Sequence, residues 1–129
     1  LASPILQVDP GWITRPLHAS VHMRPGVSLG LLHGAQPDAF VVCHEPTRTN
    51  MRGVKHPLPS IQEVIDMTIA LGSRTNPAIK CTGIAVNTAK LGEEEAKALL
   101  ADLSKEYGVP ATDPIRFGVK ELVDALADI

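Results

Sequence analysis

The feature that most narrows the fold is the run Ala39-Phe40-Val41-Val42-Cys43-His44, apolar without alternation until its last residue. A strand buried on one face alternates apolar and polar residues; this run has no polar face to present to water. It therefore belongs in the middle of a parallel sheet with helices over both faces. Residues 79–86, ending Gly83-Ile84-Ala85-Val86, form a second run of the same kind.

Helical segments alternate with these strands. Ser28-Leu29-Gly30-Leu31-Leu32-His33-Gly34 reads as a short helix closed by Gly34 as a left-handed cap, with a turn at Gln36-Pro37-Asp38. Ser60-Ile61-Gln62-Glu63 is an S-x-x-E capping box, followed by the stripe Ile61, Val64, Ile65 and Thr68 and a stop at Gly72. Glu93, Glu94 and Glu95 open a third helix, where negative charge meets the positive end of the helix dipole. Its buried stripe is Ala96, Leu99, Leu100 and Leu103, and Gly108 and Pro110 stop it. Val119, Leu122, Val123 and Leu126 stripe a final helix.

This order predicts an α/β fold: a three-layer parallel sheet flanked by helices with right-handed crossovers. Only two strands are clear, and a parallel sheet that small cannot cover itself, so further strands are expected upstream. The chain starts at Leu1 rather than at Met, and it reads as the C-terminal part of a larger protein, incomplete at its N-terminus. Residues 1–26 are an irregular segment broken by Pro4, Pro10, Pro16 and Pro25, and residues 27–129 form the α/β domain.

A formal net charge of -2 with no polybasic run argues against nucleic acid or an anionic membrane as partner. No apolar stretch approaches the roughly 18 residues that span a bilayer. Cys43 and Cys81 are expected as free, buried thiols, which points to a reducing, cytoplasmic setting. His18 and His22 have i, i+4 spacing but lie between Pro16 and Pro25 with no accompanying metal-site glutamate, so no metal site is expected. Neither a G-x-x-x-x-G-K-[ST] nor a G-x-G-x-x-G phosphate loop occurs in these residues.

Ligands of open parallel sheets collect beyond the carboxyl ends of the strands. That rule selects His44-Glu45-Pro46-Thr47-Arg48, then Asn87-Thr88, then Asp113-Pro114-Ile115-Arg116-Phe117-Gly118, all of which can line one rim. Thr47, Arg48 and Arg52 offer a hydroxyl and two guanidiniums to a carboxylate or phosphate, and His44 or Glu45 can serve as general base. The alternative is structural: Glu45 pairs with Arg48 to pin the loop, and His44 only closes a strand. Asn87 either meets a ligand or satisfies its own turn, and Arg116 either contacts an anion or locks the following helix.

The run from Val27 to Arg48, with Pro57-Leu58-Pro59-Ser60, Asn87-Thr88 and residues 113–118, resembles the C-terminal domain of a bacterial and archaeal family of formerly unknown function. Its members with an assigned role are D-glutamate N-acetyltransferases of the DgcN type. The resemblance covers residues 27–128. It implies a P-loop NTPase-like domain, similar to dethiobiotin synthetase, preceded by an N-terminal domain that these residues lack. It also implies acetyl transfer from acetyl-CoA to the amino group of D-glutamate. The small acidic substrate would meet Arg48, Arg52 or Arg116, and Asn87 would be a nucleotide contact. ATP with magnesium stays open as a further requirement, an ATP-dependent ligase or kinase and a non-catalytic truncated domain stay open as alternatives, and a homo-oligomer is expected. The pattern departs at residues 13–25, where the family carries a Glu-Gly-Gln-Gly-Ser run and a His-Pro pair. A frameshift and genuine divergence both account for that, and the fragment alone is expected to be inactive.

Overall fold

The computed structural model describes residues 5–8, 25–50, 57–127 and 129, with the side chains of residues 5–8 and 25–28 left aside. Four parallel strands lie side by side in chain order: β1 (Ile5–Val8), β2 (Ala39–His44), β3 (Lys80–Val86) and β4 (Ala111–Thr112). Helices fill the connections: α1 (Pro25–Ala35), α2 (Ile61–Gly72), α3 (Glu93–Tyr107) and α4 (Lys120–Leu126). The apolar run of β2 is thus an interior strand, paired with β1 on one side and β3 on the other. β1 lies within residues 1–26, the segment read from its prolines as irregular. The third unit closes with the short strand Ala111–Thr112, directly ahead of Asp113.

One core joins the elements. Leu32 of α1, Ile61, Val64 and Ile65 of α2, and Leu100 and Leu103 of α3 pack with Phe40, Val42, Ile84 and Val86 of the central strands. On the opposite face of β3, Leu122 of α4 lies against Gly83, and a Cβ there would collide with the leucine. The absent side chain lets α4 approach the sheet. β3 carries one extra residue, Thr82, where the register passes from Phe40↔Cys81 to Val41↔Gly83. This β-bulge brings the remaining pairs, down to His44↔Val86, into step.

The helix ends separate sequence signals from packing. Ser60 and Glu63 form the expected capping box: Glu63 N donates to Ser60 Oγ at 3.1 Å, and Ser60 N to Glu63 Oε2 at 2.7 Å. Ser60→Ala should lower stability by about 1 kcal/mol, measured by urea unfolding of the full-length protein. Gly108 caps α3 in the left-handed region at φ 67°. Gly34 does not cap α1; the helix runs one residue further, and the left-handed position is Gln36 at φ 48°. The helical conformation is disfavoured immediately before Pro37, so the chain turns at Gln36. Asn76 braces that turn, its Nδ2 donating to the carbonyls of Gln36 and Pro37 and to Asp38 Oδ1. Gly72 ends α2 without a left-handed cap, and a Cβ there would stand 2.5 Å from Ile79 Cδ1. Its smallness serves close approach rather than chain reversal.

Three expected burials need correction. Of the α4 stripe only Leu122 is buried; Leu126 is half-buried, and Val119 and Val123 are exposed, because the short helix meets the sheet through a single residue. Leu99 is half-buried at the edge of the α3 stripe. Cys43 and Cys81 are free thiols but half-buried rather than buried. Among the described residues, no helix is long and apolar enough to cross a membrane.

Candidate active site at the carboxyl rim of the sheet

Parallel pairing puts the carboxyl ends of β2, β3 and β4 on one edge, so the segments after them become neighbours. Asn87 N donates to the carbonyl of His44 at 2.8 Å, tying the end of β3 to the end of β2. Thr88 and Asp113 join the second and third segments, and Lys90 reaches Glu45 across the first two.

After β2 the chain turns at once, Arg48 N donating to the carbonyl of Glu45 at 3.1 Å. Leu58 N donates to Thr49 O at 3.0 Å, and Asn50 bridges Pro57, closing the base of a loop. Arg52 and His56 lie outside the described residues, as do His18, His22 and all but Pro25 of the departure at residues 13–25. His44 is half-buried; desolvation pushes its imidazole below its ordinary value near 6.5, and the Glu45 carboxylate pulls it partly back. At pH 7 the ring is neutral and able to accept a proton. Thr47 is exposed. Glu45 meets Lys90 Nζ at 3.5 Å rather than the Arg48 guanidinium, which has no carboxylate partner among the described residues. Glu45 thus pairs across the rim with Lys90 instead of making the Glu45–Arg48 pin of the structural alternative.

The third segment is built around Asp113, 3% exposed. Its Oδ2 accepts from Thr88 N at 2.9 Å and Thr88 Oγ1 at 2.6 Å, and its Oδ1 from Ile115 N at 3.0 Å and Arg116 N at 3.2 Å. Burial alone would raise its pKa, but the bonds from Thr88, Arg116 and Ile115 together hold it below the ordinary aspartate value. Arg116 Nη1 donates to Thr88 O and Leu91 O, each at 3.0 Å, and to Thr88 Oγ1 at 3.2 Å. It therefore grips the β3–α3 connection rather than α4, and the rest of its guanidinium faces outward from an exposed residue. Asn87 satisfies its own turn, its Oδ1 accepting from Ala89 N at 3.1 Å. Its Nδ2 has no partner among the described residues and stays available to a ligand.

Lys90, and Thr88 as the partner of Asp113, were not singled out from sequence. An Asp-Pro pair closing a strand signals an Asx turn, which hints at Asp113. Nothing local signals Lys90, whose partner is a long way back in the chain. Among the described residues no group of three His, Cys, Asp or Glu side chains lies close enough to hold a metal ion.

Residues 17–123 match a family model described as DUF1611, a domain of unknown function, C-terminal P-loop domain. The match begins ahead of Val27, so it reaches further upstream than the sequence resemblance did. A D-glutamate N-acetyltransferase of Tritonibacter scottomollicae is 50% identical over 105 residues, covering 81% of this chain and 32% of that protein. Another, from a Pseudoalteromonas species, is 48% identical over 99 residues, covering 76% of this chain and 30% of that protein. A crystal structure of a DUF1611 family protein from Anabaena variabilis superposes with a TM-score of 0.74 at 31% identity, covering 87% of this chain and 33% of that one. The chain thus spans about a third of the length of the curated relatives it matches. With most of its residues inside the family model and a rim assembled at the end of a parallel sheet, the chain belongs to the DUF1611 family and carries its C-terminal P-loop domain.

Proposed function

We propose that this chain is part of an N-acyltransferase that moves an acetyl group from acetyl-CoA to the amino group of D-glutamate. The observation that carries the reading is its 50% and 48% identity to two proteins bearing the name D-glutamate N-acetyltransferase. The rim geometry supports it. Arg48, without a carboxylate partner among the described residues, suits a carboxylate of the acceptor, and Thr47 and Arg52 are the further candidates for that contact. His44, neutral at pH 7, takes the proton of the attacking amine, or Glu45 does. The amine nitrogen forms a bond to the thioester carbonyl carbon, the carbon–sulfur bond breaks, and the CoA thiol leaves. Asn87 Nδ2 and the outward part of Arg116 remain for the polar groups of the CoA nucleotide. The remaining length of the full protein and further copies of the chain complete this reading, in a cytoplasmic setting.

The test is acetylation of D-glutamate by the full-length protein with acetyl-CoA and no ATP. N-acetyl-D-glutamate together with free thiol is the expected outcome. The P-loop description of the family favours one second reading, an ATP-dependent ligase or kinase using magnesium. Turnover only with ATP, releasing ADP or phosphate, would establish that instead.

Arg48→Ala should raise KM for D-glutamate about 10- to 100-fold, the worth of one charge-assisted contact, with little change in melting temperature. An unchanged KM would remove Arg48 from the acceptor site.

A further inference from the structure

The Thr88–Leu91 turn is held at both ends. Leu91 N donates to Thr88 O at 2.9 Å, and Arg116 Nη1 spans the same two residues through their carbonyls at 3.0 Å. Lys90 sits inside this clasped turn. Its ammonium stands 3.5 Å from Glu45, the residue next to His44, although 71% of the Lys90 side chain is exposed. An exposed lysine stem has ample freedom to swing into water, so its place over Glu45 depends on where the turn is fixed. Among the described residues, the charge acting on His44 is that of Glu45 beside it, and Lys90 of the β3–α3 connection pairs with Glu45 in turn.

We propose that Arg116 and Lys90 are positioning residues: Arg116 clasps the Thr88–Leu91 turn so that Lys90 neutralises Glu45 and thereby sets the charge beside His44. The consequence for catalysis rests on the proposed role of His44 as base, whereas the charge relay itself does not. With Lys90 in place, the Glu45 carboxylate is partly countered and supports the imidazolium less. Without Lys90, or with the turn released, Glu45 acts on His44 in full and the imidazole becomes easier to protonate.

The test is a pH titration of the His44 ring by NMR in full-length protein without substrate, assigned by loss of its signal in His44→Gln. Lys90→Met should raise the midpoint by about 0.3 pH unit, the size of an exposed ion pair. Arg116→Lys keeps the charge and one donor but cannot bridge both carbonyls as the planar guanidinium does, and it should raise the midpoint similarly. The double variant should shift no further than either single one, and Lys90→Arg should restore the wild-type value. Midpoints unchanged in Lys90→Met would overturn the proposal, and so would an Arg116→Lys midpoint equal to wild type. If the protein acetylates D-glutamate, the acidic limb of its pH–rate profile should move with these midpoints. If it does not, the ring titration still decides the relay.

Discussion

Asp113→Ala should cost about 4 kcal/mol of stability, a large share of what a domain of this size possesses. The variant strips acceptors from Thr88 N, Ile115 N, Arg116 N and the Thr88 hydroxyl at once. Thr88 is fully buried, so water cannot replace the lost carboxylate there. Asp113→Asn keeps the shape and one acceptor oxygen while turning an NH2 group toward two donors, and should cost about 2 kcal/mol. Urea unfolding of the full-length protein measures both, and a loss below about 1 kcal/mol for the alanine variant would show that this network carries little stability. The pH dependence follows from the same bonds. The folded-state pKa of Asp113 lies below the ordinary value near 3.8, so the unfolded chain binds the proton more readily. Its stabilisation is fully present above that ordinary value and is lost as pH falls through the lower folded-state value. Asp113→Asn should therefore flatten the acid limb of stability against pH.

Phe40→Ala should cost about 3–5 kcal/mol, because it empties a large buried volume in an interior strand. Phe40 is 0% exposed and belongs to the core that joins α1, α2 and α3 to β2 and β3. Neighbours on several elements cannot all collapse into the space, so the cavity term adds to the lost transfer energy. Phe40→Leu retains most of the volume and should cost about 1–1.5 kcal/mol. The difference between the two variants in thermal or urea unfolding checks the claim. Equal losses would mean that the ring's own shape, rather than the volume it fills, is what the site requires.

The rim is assembled across segments rather than within any one of them. His44 is held by the strand that precedes it, and Glu45 is paired only because a turn 45 positions further along carries Lys90 over it. Arg116 shows the same dependence, since its partners Thr88 and Leu91 sit 28 and 25 residues away in sequence. The two arginines that looked alike as anion contacts are thereby separated: Arg116 Nη1 is engaged by backbone carbonyls, and Arg48 is left without a carboxylate among the described residues. That distinction is what supports the proposed place of Arg48 at an acidic acceptor.

By itself the sequence determined whatever depends on neighbours within a few positions. The Ser60–Glu63 box, the acidic opening of α3, the Gly108 stop and the unbroken apolar run of β2 each follow from local hydrogen bonding, backbone freedom or the lack of a polar face. The parallel class of the sheet, and with it the gathering of three segments on one edge, followed from that run. Only the tertiary structure decided what depends on distant partners. It placed the left-handed turn at Gln36 because Pro37 and the Asn76 brace outweigh the preference for glycine. It made Gly72 and Gly83 sites of close approach to Ile79 and Leu122, and it buried one residue of the α4 stripe instead of four. It also matched Lys90 with Glu45, and Thr88 with Asp113 and Arg116. Such pairings arise from the register of parallel strands and the angle at which helices return to them, and no periodicity within a segment encodes either.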